Sequence, residues 1–135
     1  MQPFANLPYS LCRHLAAKRI VTVGAPETVV ESLTRGLHEN RKRSGGLVVC
    51  ADLDERRLAR IGELLASVDL EDYAHLLPGD ARSTLRGLEG PFDLVWLGCP
   101  NAAADAVLAT LRASLRPSTC VIRRGARGAM HYSAA

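Results

Sequence analysis

The stretch that decides the fold is Arg19–Glu27, which reads RIVTVGAPE. An apolar run, Ile20–Val23, ends at Gly24, and a turn with Pro26 leads into a helix-like pattern that begins near Glu27. A buried strand that passes through a tight turn into a helix is the first unit of a nucleotide-binding α/β fold. Such a fold holds its ligand at the carboxyl end of the strand, against the N-terminus of the helix.

The same alternation of strand and helix continues along the chain. Apolar runs predict five strands, at Arg19–Val23, Leu47–Ala51, Tyr73–Leu77, Phe92–Leu97 and Cys120–Arg123. Apolar residues at helical spacing predict helices at Glu27–Arg43, Glu55–Val68, Ser83–Leu88 and Ala102–Leu115. This order predicts an α/β fold with a doubly wound, mostly parallel, Rossmann-like sheet of about five strands, and a ligand crevice beside strands one and four.

The chain divides into three parts by composition. Its 135 residues are enough for one domain with a substantial core. Residues 1–18 form a short N-terminal lead-in, in which Leu11–Ala17 predicts one or two helical turns. Residues 19–124 form the Rossmann-like domain, and residues 125–135, rich in Gly, Ala and Ser, are expected to be a flexible tail.

Charge and cysteine usage limit the partners and the compartment. The net charge of +3 is mild, so nucleic acid is not expected to be a partner. No apolar run approaches the roughly 18 residues that a membrane helix needs. The four cysteines are widely spaced without a CxxC pair, which predicts reduced thiols in a cytoplasmic protein.

Three motifs follow the first loop at the spacing of a known family. They are VVCADLDERRLARI at strand two, LLPGDARSTLRGLEGPFDLVWLG through strand four, and LRASLRPSTCVI at the entry to strand five. Together with VTVGAPE, these motifs resemble a class I S-adenosylmethionine-dependent methyltransferase from Lys18 to Arg124. Within that class, the chain is most similar to the catechol/caffeoyl-CoA type O-methyltransferases, in a truncated form that lacks the usual final two strands.

The resemblance implies a site for S-adenosylmethionine, formed by residues that follow the strands: Gly24, Ala25, Asp52, Leu53, Asp80, Ala81 and Gly98. Gly24 would approach the methionine part, Asp52 would accept the ribose hydroxyls, and Leu53 would flank the adenine. Asp80 would accept a hydrogen bond from the adenine amine. A carboxylate suits the ribose because it can accept two hydroxyl hydrogen bonds at once. Both acids also have a structural interpretation, since Asp favours turns and caps.

The first loop departs from the family's GxGxG pattern. Pro26 and Thr28 replace the second and third glycines, and Glu27 would add a negative charge beside the carboxylate of the cofactor. Thr22 stands where the family carries an acid that holds the amino group of the cofactor.

The positions for metal and catalysis also differ from the family. The positions of the family's metal ligands hold Gly98, Arg124 and Gly125, so we expect no metal site. The position of its catalytic lysine holds Asn101, so we assign no catalytic residue. Cys99 lies in a loop that such folds use for chemistry, but a small packed side chain is the favoured interpretation.

Two functions stay open from the sequence. The first is an S-adenosylmethionine-dependent methyltransferase that works without metal on an unknown acceptor. The second is a catalytically inactive protein of the same fold that acts as a dimeric binding or interaction partner. A different nucleotide ligand is a third reading, because Asp52 would suit any ribose. If strand five is the open edge of the sheet, its unpaired backbone favours a homodimer or a complex with another methyltransferase-fold chain.

Overall fold

The computed structural model of the protein describes residues 7–40, 46–124 and 130–134. Helices and strands alternate in it, in the order α1 (Leu7–His14), β1 (Arg19–Val23), α2 (Glu27–Asn40), β2 (Leu47–Asp52), α3 (Glu55–Ser67), β3 (Ala74–Pro78), α4 (Ala81–Thr84), β4 (Leu94–Leu97), α5 (Asn101–Leu111), β5 (Cys120–Arg124) and β6 (Met130–Ala134). Short 3₁₀ turns at Glu71–Tyr73 and Arg112–Ser114 precede β3 and follow α5.

The strands form one sheet in the order β3-β2-β1-β4-β5-β6. The first five are parallel, which confirms the predicted doubly wound α/β fold. The chain runs outward from β1 to β3 in one direction and from β4 to β5 in the other, so the order reverses between β1 and β4. In register, Val23 at the end of β1 lies beside Ala51 of β2 and Leu97 of β4. The carboxyl ends of these central strands are therefore level, and the crevice lies where the sequence predicts it.

Helices cover both faces of the sheet because the central strands are apolar on both sides. On one face, Ile20 and Trp96 pack with Leu33 of α2 and Ile61 of α3, all of them at most 4% exposed. On the other face, Val21 and Leu97 pack with residues of α4 and α5. Burial on both sides explains why the strands read as nearly continuous apolar runs rather than as alternating ones.

Asp93 fastens the start of β4 to the start of β1. Its Oδ2 accepts hydrogen bonds from the backbone N–H groups of Lys18 at 2.8 Å and Arg19 at 3.1 Å. Its Oδ1 accepts one from the Arg116 guanidinium at 2.8 Å. One carboxylate thus satisfies two backbone donors at the end of the sheet opposite the crevice.

Two expectations from the sequence are wrong. Met130–Ala134 form β6, which pairs antiparallel with β5, so this part of the predicted tail is a strand. Residues 125–129 of the tail lie outside the described residues. Because β6 pairs with the outer side of β5, β5 is not the open edge on which the dimer prediction rested. A homodimer stays a prediction, but the edge of β5 no longer supports it.

The fourth helix also begins earlier than predicted, at Ala81 rather than Ser83, and ends at Thr84. The reason is the cap: Asp80 Oδ1 accepts a hydrogen bond from the backbone N–H of Arg82 at 2.9 Å. The predicted end of the second helix, at residues 41–43, lies outside the described residues. The remaining predicted elements differ from the structure by a few residues at their ends. None of the described helices has the length and apolar character needed to pass through a bilayer.

Candidate functional site

A cavity of about 580 Å³ opens at the carboxyl ends of β1 to β4. This volume is within the range of small-molecule sites in proteins. Of the seven predicted site residues, those that line the cavity are Gly24, Asp52, Leu53, Asp80, Ala81 and Gly98. The structure therefore brings together residues from four separate loops that the sequence assigned to one site.

Ala25 is the exception, because its side chain is fully buried in the core and does not line the cavity. The residue lies at the turn between β1 and α2, where the chain has already left the crevice.

The backbone of two loops forms the wall of the cavity beside β1 and β4. The N–H of Gly24 donates to Ala51 O at 3.0 Å, and that of Gly98 donates to Val23 O at 2.8 Å. Gly24 has a φ of +64°, a conformation that glycine adopts without strain. A Cβ atom on Gly98 would lie 2.4 Å from the carbonyl oxygen of Gly24. The two loops are in close backbone contact, which explains glycine at position 98.

The non-glycine residues of the first loop turn away from the cavity. Pro26, Glu27 and Thr28 do not line it. Glu27 forms a salt bridge with Arg60 of α3, and this hydrogen bond lowers the pKa of the Glu27 carboxyl. Its charge is neutralised between two helices, contrary to the expectation that it would face the ligand. Thr22 is fully buried within β1 and also lies outside the lining.

Asp52 is the most buried charged group of the cavity, with 3% of its surface exposed. Arg57, on the first turn of α3, binds both of its oxygens: Nε donates to Oδ2 at 2.6 Å and Nη2 donates to Oδ1 at 3.0 Å. Oδ1 also accepts the backbone N–H of Asp54 at 2.9 Å. The hydrogen bond to Asp52 raises the pKa of the Arg57 guanidinium, so Arg57 carries its positive charge at neutral pH.

Asp80 occupies the end of the cavity beside β3 and is more exposed. Besides capping α4, it binds the Arg82 guanidinium, with Nη2 to Oδ2 at 2.7 Å. This bond lowers the pKa of the Asp80 carboxyl. Both side chains of this ion pair are accessible to solvent. Exposed ion pairs contribute little free energy, so Asp80 can give up Arg82 for another hydrogen-bond donor at little cost.

The remaining wall is apolar. Leu53, which is 77% exposed, lies at the rim, and α5 contributes Ala102, Ala103 and Ala106. The small side chains leave room for a flat group against the helix. The N-terminus of α5 begins after Pro100 without a side-chain cap, so it carries a partial positive charge at the cavity.

Sequence reasoning missed Arg57 and Arg82, the two cations of the described lining. The available signal was an arginine shortly after each predicted acid, at Asp52 plus five and Asp80 plus two. Charged residues on the first turn of a helix usually lie on a solvated surface, so this spacing did not indicate that the arginines line the site. No group of three or more His, Cys, Asp or Glu side chains in the described part of the chain is arranged to hold a metal ion.

Neither a model of a known protein family nor the sequence of a curated protein matches this chain. Solved structures do match it. The methyltransferase PaMTH1 of Podospora anserina, solved with SAH, is 19% identical with a TM-score of 0.77, over 88% of this chain and 50% of that one.

Two bacterial enzymes are similar to the same degree. The O-methyltransferase TomG of Streptomyces achromogenes, solved with SAM, is 21% identical with a TM-score of 0.75, over 91% of this chain and 55% of that one. The Bacillus cereus O-methyltransferase, solved with SAH, is 20% identical with a TM-score of 0.72, over 91% and 56%. This chain spans about half the length of these proteins. The chain has the Rossmann-like fold of these three methyltransferases, which were solved with SAM or SAH.

Proposed function

We propose that the protein binds S-adenosylmethionine in the cavity at the carboxyl ends of β1 to β4 and acts as a metal-independent methyltransferase. The observation that carries the proposal is the convergence of Asp52, Asp80 and the Gly24–Gly98 contact on one cavity. The solved methyltransferases of the same fold support it, since several contain SAM or SAH.

The size and order of the lining fit this ligand. The ends of β3, β2, β1 and β4 span three inter-strand spacings, or roughly 14 Å. An adenine beside Asp80 and Leu53 would place the ribose at Asp52, and the chain attached to its 5′ carbon would reach Gly24 and Gly98. S-adenosylmethionine would supply the methyl group there. The described residues would bind and orient the donor and keep its sulfur at a fixed place for an in-line displacement.

No metal enters the proposal. The positions of the family's metal ligands hold Gly98, Arg124 and Gly125, which cannot supply carboxylate oxygens. The acceptor is not assigned either, because this chain spans only about half the length of the matched enzymes. Its four widely spaced cysteines support placing the protein in the reducing cytoplasm.

A second candidate is a protein that binds the cofactor without transferring its methyl group. Among the described lining residues, the two carboxylates are both bound to arginines, and none is a histidine or lysine that could act as a base. Such a protein would act as a binding or interaction partner, in a homodimer or in a complex with another chain of this fold. Formation of SAH on incubation with S-adenosylmethionine and a panel of hydroxyl acceptors would exclude this candidate.

The first test is calorimetric titration of the folded protein with S-adenosylmethionine and S-adenosylhomocysteine. We expect micromolar binding, weakened at least about tenfold in Asp52→Ala by the loss of a charged hydrogen-bond acceptor. Asp72→Ala is the matched control, because Asp72 is exposed and lies outside the cavity. Absence of heat at high ligand concentration from the folded wild-type protein would refute the proposal.

A further inference from the structure

The carboxylate expected to hold the ribose already has most of its acceptor positions filled. An ionised aspartate offers about four, two on each oxygen. At Asp52, Oδ1 uses two of them for Asp54 N–H and Arg57 Nη2, and Oδ2 uses one for Arg57 Nε. A ribose presents two neighbouring hydroxyl donors, and one remaining position cannot accept both. Binding through both hydroxyls therefore requires Arg57 to give up part of its contact with Asp52.

The Arg57 guanidinium, once released, lies next to the β1–α2 loop. Its Nη2 atom lies 3.8 Å from the point that a Cβ on Gly24 would occupy, so Arg57 lies between Asp52 and the β1–α2 loop. A ligand with its ribose at Asp52 directs its 5′ substituent toward this loop. The other described cation of the lining, Arg82, lies next to Asp80 at the opposite end of the cavity. Arg57 is thus the described side chain closest to the 5′ substituent that can neutralise an anion.

We propose that Arg57 is a ligand-binding residue that exchanges Asp52 for the carboxylate of the cofactor's amino-acid part. The inference rests on the proposed function and adds a selection rule to it. When the ribose hydroxyls bind Asp52, Arg57 loses part of its contact with that carboxylate. An adenosine with a carboxylate on its 5′ chain provides a new anion for Arg57. An adenosine without one leaves the guanidinium without an anion inside the cavity. The site therefore selects nucleosides with an anionic 5′ chain.

The test compares two ligands that differ in that group. S-adenosylhomocysteine carries the amino acid, and 5′-methylthioadenosine has the same nucleoside and thioether without it. Each is titrated into wild type, Arg57→Gln and the matched control Arg56→Gln. Arg56 is exposed on the same helical turn and outside the lining, so its variant removes the same charge without touching Asp52.

We expect wild type to prefer S-adenosylhomocysteine, and this preference to fall roughly tenfold or more in Arg57→Gln, the size of a lost charged hydrogen bond. Methylthioadenosine should bind the variant more tightly than wild type, because Asp52 is released. Arg56→Gln should retain the wild-type preference.

Three results would overturn the inference. An unchanged preference in Arg57→Gln, with S-adenosylhomocysteine still bound, would place the carboxylate elsewhere, such as at the α5 N-terminus, and leave the cofactor site standing. Weaker methylthioadenosine binding in Arg57→Gln would mean that Arg57 orients Asp52 rather than competing with the ribose. No binding of either ligand to any folded protein would remove the proposed function together with the inference.

A measurement on wild type alone guards against a variant that does not fold, since Arg57→Gln leaves a buried carboxylate without its cation. The third ligand is an S-adenosylhomocysteine analogue in which hydrogen replaces the carboxylate and the amine is retained. We expect it to bind at least roughly tenfold more weakly than S-adenosylhomocysteine. Equal affinities would overturn the inference.

Discussion

Replacement of Gly98 by alanine tests the close contact between the two glycine loops of the cavity. The new Cβ would lie 2.4 Å from the Gly24 carbonyl oxygen and 3.0 Å from its carbonyl carbon. Both neighbours are backbone atoms, so relief requires the β1–α2 and β4–α5 loops to separate until the closest contact reaches at least 3.0 Å. That movement stretches the hydrogen bond from Gly98 N–H to Val23 O, which is 2.8 Å long.

The expected cost of this overpacking is about 2 kcal/mol of unfolding free energy. For a domain of this size, that corresponds to a fall in Tm of roughly 8 °C. Equilibrium urea unfolding followed by circular dichroism measures it, with a midpoint shift of about 1 M for a typical slope. Ligand affinity should fall as well, because both loops line the cavity.

Gly62→Ala is the matched control in the same assay. Its Cβ would lie 3.3 Å from the end of the Leu76 side chain, which can move, and alanine favours the helix by up to about 1 kcal/mol. We therefore expect this variant to be as stable as wild type or more so. A Gly98→Ala protein within about 0.5 kcal/mol of wild type would refute the reasoning, since that is the scatter of ordinary surface substitutions.

Three further predictions concern stability and the thiols. Asp93→Ala should lower the unfolding free energy by about 2 kcal/mol, because it leaves two backbone donors without an acceptor, whereas Asp93→Asn keeps an oxygen for them and should lose much less; urea midpoints measure both. The fold lowers the pKa of Glu27, through its arginine partner, and of Asp54, through backbone N–H groups at the start of α3. Both groups therefore contribute fully to the unfolding free energy above their ordinary pKa values of 4.5 and 3.8, and this contribution is lost as the pH falls further. The unfolding free energy should stay level from pH 7 to about 5 and then decline. A decline that begins near neutrality would contradict this assignment. Burial raises the pKa of Cys12 to about 12, so native protein at pH 8 should be alkylated at the partly exposed Cys99 well before Cys12, as mass spectrometry of labelled peptides would show.

The sequence predicts most of the sheet because its signals are strong and local. The runs at β1, β2, β4 and β5 are apolar on both faces, and each is bounded by a glycine, an acid or a proline turn. The predicted positions of these strands agree with the structure to within two residues. The alternation with amphipathic helices and the usual handedness of the crossovers leave few strand orders, and β3-β2-β1-β4-β5 is one of them.

The sixth strand could not be predicted in the same way. Met130–Ala134 reads MHYSA and lies beyond a glycine-rich stretch. It has no apolar run, and its apolar and polar residues alternate over five positions only, so the Gly, Ala and Ser content of the tail outweighed that signal. Its place in the sheet comes from pairing with β5 along the backbone, which is a tertiary effect rather than a local preference.

The site shows the same division. Gly24, Asp52 and Asp80 could be assigned to one cavity because each follows a predicted strand, and parallel strands end at one edge. The partners of the two acids were missed because Arg57 and Arg82 lie in the first turn of a helix, where the direction of a long side chain depends on the folded loop. The side chain of Ala25 lies in the core, because one residue along a tight turn moves a side chain away from the crevice.

The pairing of both acids with arginines gives the described cavity lining two positive and two negative side chains, and therefore no net charge. Such a lining exerts little long-range attraction on an approaching ligand, so we expect the association rate to change little with ionic strength. It also offers no general preference for a positively charged sulfonium donor over the neutral thioether that remains after methyl transfer. If the protein transfers the methyl group as proposed, spent cofactor would compete with fresh cofactor in proportion to its concentration.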